Sequence, residues 1–516
     1  MKKTLILIIF ITSYTFAQAP AIQWQKCLGG TNTDYAWCNI QQTSDGGYVM
    51  AGFVESNDGN ISGNHGGSDA WVVKLSSSGI IQWQKCLGGT NFDEVSFIQQ
   101  TTDGGYILSG TTSSNDGDVS GNHGLSDAWI VKLSSNGLIQ WQKCLGGTSS
   151  DMASTIQQTS DGGYIMVGKT RSNNGDVSGN HGTTYDIWIV KMSSSGIIEW
   201  QKCYGGSADE FDSNIQQTTD GGYIFSGKTY SNNGDVSGNH GTGINDDAWV
   251  VKLSSSGVIQ WQKCIGGSAR DYATNIQQTI DGGYIFSGAT TSTDGDVSGN
   301  HGEGDAWVVK LSSNGVIQWQ RCLGGINWDD FYDVYQTNDG GYVFAGNTSS
   351  NDGDVSGNHG ASDAWVVKLS SSGTIQWQKC IGGANDEADY RVSISQTLDG
   401  GYIMSGTTSS NDGDISGNHG ESDYLVVKLG ADVLSVTQHA NNDFMIYPNP
   451  TSSELFIISS KYETFNITIY DINMKVLKTS KINNQEAVDI NSFPQGVYLI
   501  QIEKGNEKNT YKFIKK

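Results

Sequence analysis

The 516-residue chain carries only four prolines, and no long stretch of it keeps the 3.6-residue apolar spacing of a helix. That leaves an all-β chain. Basic residues are scarce as well: 30 Lys and Arg stand against 53 Asp and Glu, a net charge of −23. This balance argues against nucleic acid as a partner, because phosphate binding needs a basic surface. Beyond the N-terminus no apolar run is long enough to cross a membrane as a helix. What is abundant is glycine, 68 residues, with 15 Trp and 22 Tyr. Tight turns and aromatic-rich strands follow from that composition.

Most of the chain is one unit repeated. The Trp of the IQWQ motif recurs at Trp24, Trp83, Trp141, Trp200, Trp261, Trp319 and Trp377, at steps of 59, 58, 59, 61, 58 and 58 residues by subtraction. A period of this size marks a repeat architecture. Each unit holds four strand candidates, illustrated by Ile98–Thr101, Tyr106–Gly110, Ala128–Leu133 and Leu138–Cys144. A DGG turn and an SSNG turn close the two hairpins. Four antiparallel strands per unit describe a propeller blade, and seven Trp positions predict seven blades.

The array starts with a lone fourth strand, Ile22–Cys27, and ends with a lone third strand, Tyr424–Leu429. Pairing the two would complete the last blade and hide both edges. This offset closure resembles that of WD-repeat propellers, although the WD signature is absent. A β-solenoid is the alternative fold, and it would not need the split terminal blade. The long connections, such as Leu145–Ser154 and Ser113–Asp127, fall on one rim, and any binding or chemistry is expected there.

The Asp116–Asp127 loop has the spacing of a calcium loop, with Asp116, Asp118, Ser120 and Asp127 at positions 1, 3, 5 and 12 and a glycine at 6. The same register holds for Asp58, Asn60, Ser62 and Asp69. It recurs in Asp294, Asp296, Ser298 and Asp305, in Asp352, Asp354, Ser356 and Asp363, and in Asp412, Asp414, Ser416 and Asp423. Two copies depart from it, at Asn174 to Asp186 and at Asn233 to Asp247. The D-x-D-x-S-G core resembles the calcium loops of integrin α-subunit propellers, which implies Ca²⁺ as a ligand. The other reading is that the Asp and Asn side chains make local turns without metal.

His65, His123, His181, His240, His301, His359 and His419 follow Gly-Asn in every loop, one per blade, and are expected to bond within their own loops. Seven cysteines, Cys27, Cys86, Cys144, Cys203, Cys264, Cys322 and Cys380, share one repeat position and are expected to be buried thiols. Only Cys38 stands apart, and Cys27–Cys38 is the one pair a disulfide could join. Catalysis needs an asymmetric set of groups, whereas these loops repeat the same groups seven times. The irregular acidic clusters are Asp329 and Asp330 beside Trp328, and Glu387 with Asp389, and solvated loop charge explains them most simply.

The turn before Ile139–Trp141 faintly resembles the sialidase Asp box with its Asp replaced. Sialidase-like carboxylate binding also needs several Arg, and the propeller offers Arg171, Arg270, Arg321 and Arg391. The Trp-bearing hairpins resemble quinoprotein repeats, which usually number eight. Over Ile22–Leu429 the chain resembles the DGGYI-x-x-G propeller repeats of secreted Bacteroidetes-type proteins.

Both ends carry addresses. Lys2 and Lys3 precede an apolar run, and Thr15 and Ala17 fit a signal-peptide cleavage site, so the mature chain is expected to begin near Gln18. After a propeller over 18–430 and a linker over 431–442, residues 443–516 show several short strands with turn signals, which predict a small β-sandwich. YPNP at Tyr447–Pro450, IYDINMKVL at Ile469–Leu477, GVYLIQI at Gly496–Ile502 and the basic terminus together resemble the type A C-terminal sorting domain of type IX secretion substrates. The resemblance implies recognition by the type IX machinery and delivery to the cell surface or the medium. The expectation is a non-enzymatic, adhesin-like protein that binds an extracellular glycan or protein. The alternative is an extracellular polysaccharide-acting enzyme with its site on the rim.

Overall fold

The computed structural model describes residues 18–37, 39–241, 243–387, 391–432, 444–447, 451–459, 464–471, 475–504 and 507–515. The signal-peptide reading, Cys38, Asp389 and most of the linker lie outside these residues. The chain divides into two compact units, Met1–Asp432 and Val433–Lys516. All named elements are strands.

The first unit is a ring of seven antiparallel sheets. Blade 2 is typical, with strands Asp93–Gln100, Tyr106–Thr112, Asp127–Leu133 and Ile139–Leu145 in that order. The first strand is longer than its apolar core suggested. It begins at a carboxylate inside the expected long connection and carries a bulge between Val95 and Phe97. In blade 1 the corresponding strand is broken into Asp34–Tyr35 and Ile40–Gln42. Blade 7 closes as expected: Ile22–Leu28 pairs antiparallel with Asp423–Leu429, joining the two ends of the array in one sheet.

The third strands read as continuous apolar runs because both faces are covered by neighbouring blades. All seven residues of Asp127–Leu133 are buried, and Trp71, Trp129, Trp188, Trp249, Trp307 and Trp365 are among the largest fully buried side chains. Two motif residues lock blade to blade. The Trp of IQWQ meets the Tyr of the next DGGY edge-on or tilted at every seam, from Trp377–Tyr402 at 5.6 Å to Trp319–Tyr342 at 6.1 Å. Trp24–Tyr48, at 5.9 Å, is the seam that shuts the ring. The SSxG turn needs its glycine for the same contact. Gly137 has φ +77°, and a Cβ there would lie 3.0 Å from the Trp83 ring.

The paired glutamines of the first strands form a girdle whose role the sequence did not disclose. The second Gln of each blade accepts the N–H of a turn residue in the preceding blade, as Gln100 does from Ser44 at 2.8 Å. The series closes with Gln42 accepting from Leu398 at 2.8 Å. The first Gln accepts the next blade's strand N–H, as Gln41 does from Gln100. This second series stops where Tyr335 and Ser395 replace Gln in blades 6 and 7.

The seven repeat cysteines are buried free thiols. Burial and the nearby Asp69 push the Cys86 thiol up to about 12.

The second unit is a sandwich of a three-stranded sheet, Phe444–Tyr447, Glu454–Ser459 and Ala487–Asp489, and a four-stranded sheet. The latter orders Val476–Asn483, Thr464–Tyr470, Gly496–Lys504 and Glu507–Lys515. Leu455, Ile457, Ile467, Ile500 and Phe513 belong to the shared core. The strand after Tyr470 begins at Val476, and Asp471 accepts the Lys475 N–H at 2.9 Å.

Candidate functional site

The Asp-rich loops fasten neighbouring blades together. In blade 2, Asp116 accepts the N–H and the hydroxyl of Thr90, at 2.8 and 2.9 Å, in the connection from the preceding blade. The backbone N–H of Asp118 donates to Gly88 O at 2.8 Å. Ser120 accepts from the Gln142 amide at 2.8 Å. Asp127 is fully buried and accepts both the N–H and the Nδ1 of His123, at 3.1 and 2.6 Å. The other copies repeat this. Asp58, Asp294, Asp352 and Asp412 accept from Thr31, Ser268, Ile326 and Ala384. At the third position, Asn60 accepts from Gly29 and Asp296 from Gly266, while the N–H groups of Asp354 and Asp414 donate to Gly324 and Gly382. Ser62, Ser298, Ser356 and Ser416 accept from Gln84, Gln320, Gln378 and Gln25. Asp69, Asp305, Asp363 and Asp423 hold His65, His301, His359 and His419.

The four positions thus face four different protein partners. Calcium takes six to eight converging oxygens. Among the described residues no three His, Cys, Asp or Glu side chains gather as a metal would require. The side chains turn to separate partners where Ca²⁺ would need them to converge, although Oδ1 of Asp127 is buried without a partner, and local turns shape the loop: Asn115 accepts the Gly121 N–H and Asn122 the Gly124 N–H. The two irregular copies keep the same bonds, with Asn174 and Asn233 on the preceding connection and Asp186 and Asp247 on their histidines. Burial pushes the carboxyl of Asp127 up, and His123 draws it back down.

Against this uniform frame, one cross-strand pair does not repeat among the six blades in which it is described. It joins the second residue of the first strand to the sixth of the second, on the long-loop rim. The pairs are Tyr35 with Phe53, Glu94 with Thr111, Met152 with Lys169, Phe211 with Lys228, Tyr272 with Ala289, and Asp330 with Asn347. Their side chains meet across the seams. Lys169 Nζ lies 5.4 Å from the Tyr185 ring and 5.0 Å from Phe211. Arg171 sits 4.0 Å over Tyr185. Lys228 lies between Phe211, Tyr230 and Tyr272 at 5.2 to 5.7 Å and pairs with buried Asp246 at 3.1 Å, which Arg270 also reaches. On the blade 1 side, Phe53 contacts Tyr35, Trp37 and Phe92 with no cation among them.

First-strand residues of all seven blades line a central channel, a cavity of about 340 Å³, and the cross-strand pairs stand beyond its lining, at its mouth towards the long-loop rim. Tyr332, Asp333 and Arg391 stand in its wall. Burial raises the carboxyl of Glu94, with Arg391 and Lys169 opposing it. Burial likewise raises Asp330 to about 6, against a hydrogen bond from Tyr332. Asp333 is raised to about 6 by burial although Ile394 N–H, Ser393 Oγ and Asn275 Nδ2 all donate to it. The mouth therefore sets cations and aromatic faces beside carboxyls that burial raises, in an asymmetric arrangement, as ligand recognition requires.

Of the irregular acids read from the sequence, only Asp330 belongs to this set. Asp329 and Glu387 occupy the repeat position of Asp93, fully buried, and accept the N–H groups of Gly325 and Gly383. They are structural and not solvated loop charges. The unrepeated Lys169 and Lys228 were missed. The available signal was that every other propeller lysine sits in the VKL or VKM motif or in WQKC.

Residues 445–516 match the family model described as a secretion system C-terminal sorting domain. No curated protein matches the chain. Solved structures similar to it include a BBS1N–ARL6DN complex, 8% identical, covering 80% of this chain and 97% of that one at a TM-score of 0.42. A Synechocystis apocarotenoid oxygenase is 12% identical, with coverages of 92% and 97% and a TM-score of 0.38. The extracellular domain of a putative hybrid two-component system from B. thetaiotaomicron is 9% identical, with coverages of 92% and 67% and a TM-score of 0.31. The chain is an exported β-propeller protein. Its C-terminal sorting domain engages the type IX secretion machinery, which delivers the protein to the cell surface or the extracellular space.

Proposed function

We propose that this is a non-enzymatic extracellular binding protein whose ligand sits at the channel mouth on the long-loop rim. The observation that carries the reading is the gathering of unrepeated side chains at one cross-strand pair in each of six blades, with Tyr332, Asp333 and Arg391 in the channel wall beside them. A repeat that serves only as scaffold has no need of such variation at one place. The mature chain and its Lys169→Met variant, applied to glycan arrays and used in pull-downs from surface extracts, test it. Binding is expected for the parent and loss for the variant. Equal binding by both would contradict the reading.

A second reading has an observation of its own. Glu94 and Asp330 both have carboxyls raised by burial, as a general acid acting on a saccharide would. Release of reducing ends from polysaccharides, abolished by Asp330→Asn, would favour it.

A further inference from the structure

The propeller has five cations outside the repeat motifs: Lys169, Arg171, Lys228, Arg270 and Arg391. On a chain of net charge −23, all five gather at the channel mouth and its seams. Lys169 and Arg391 form no close ion pair among the described residues, and the one carboxyl they both act on is Glu94, which burial raises. Lys169 is held in place by aromatic faces, which steady a cation without neutralising it.

Resting on the binding reading above, we propose that the mouth takes a carboxylated saccharide, the uronate class, as its ligand. Lys169 in blade 3 and Arg391 in blade 7 stand on separate blades, which suits one carboxylate per sugar ring better than a dense run of phosphates. Acidic loops such as Asp116 and Asp118 surround the mouth and oppose a polyanion of high charge density. An arginine in the channel wall offers the planar fork that matches a carboxylate. On the blade 1 side, Phe92 is exposed and packs on buried Phe53, an apolar ring surface on the rim beside the seam of blades 1 and 2. A cavity of about 340 Å³ is of the size that accepts a small saccharide.

Titration calorimetry of the mature full chain at low salt tests this, with trigalacturonate, a neutral galactose trisaccharide and hexaglutamate as probes. Trigalacturonate is expected to bind and the other two to bind at least tenfold more weakly. Arg391→Gln and Lys169→Met are each expected to weaken trigalacturonate binding about tenfold. Asp116→Asn, in the structural loop, is expected to leave it unchanged, with thermal melts confirming that all variants fold. Failure of trigalacturonate to bind overturns the ligand class, as does equal binding of the neutral sugar or tighter binding of hexaglutamate. If another probe binds and Lys169→Met weakens it, the mouth remains the site and only its ligand class is wrong. If the variants leave every probe's binding unchanged, the binding reading falls as well.

Discussion

Two sets of residues share the long-loop rim and differ in what they touch. The repeated Asp, Ser and His side chains are occupied by protein donors: Asp116 by Thr90, Ser120 by Gln142, Asp127 by His123. The unrepeated set behaves differently: Lys228 is paired with Asp246, while Lys169 meets only aromatic rings and Arg391 stands in the wall of the channel cavity. The regular acidic loop, though it has metal-like spacing, is mortar between blades. The positions that look like drift in the sequence carry the candidate site.

Substitutions can separate the two sets. The largest effect is expected at Trp129, fully buried and bonded through Nε1 to Gln142 at 3.1 Å. Trp129→Ala should cost about 3–5 kcal/mol in urea denaturation, whereas Lys169→Met should stay within about 0.5 kcal/mol. Comparable losses at both positions would erase the distinction.

Next comes pH. Unfolded, an Asp carboxyl titrates near 4, and folded, burial holds Asp330 at about 6. A raised folded value means that the fold favours the protonated form. Its contribution is fully present below about pH 4 and is lost as pH rises through about 6. Asp330→Asn should therefore gain on the parent between pH 4 and pH 8, by about 3 kcal/mol for a shift of some two units. Parallel pH profiles of the two proteins would show that Asp330 is not held protonated.

A smaller contrast lies between two turns. Gly137→Ala must bear φ +77° and a contact with Trp83, while Gly104→Ala, at φ +81°, meets only open space. About 1 kcal/mol is expected for Gly104→Ala from backbone strain, and about 1–3 kcal/mol more for Gly137→Ala from overpacking. Equal melting temperatures would deny the seam contact. The smallest expected effect is none: millimolar calcium or a chelator should leave the melting temperature unchanged. A saturable rise would restore the metal reading of the loops.

The ring was legible because its signals are local and repeated seven times. Turn glycines, apolar runs and the split terminal strands all pointed to one closure. The site was not, because its pairs are far apart in sequence. Glu94 and Thr111, or Phe211 and Lys228, stand 17 residues apart and become neighbours only through cross-strand register. Metal-like spacing meets a related limit. Sequence spacing gives the order of oxygen atoms along a loop, and not whether they turn inward on one point or outward to four partners. The girdle glutamines read as ordinary strand residues because their partners lie about one full repeat away.

Hydrogen exchange of the mature chain with and without trigalacturonate tests the central claim most directly. The account predicts protection at the second-strand ends of blades 3 and 4, around Lys169 and Lys228, and beside Arg391, with the seven Asp-rich loops unchanged. Protection spread evenly over those loops, with none at the unrepeated pairs, would contradict it.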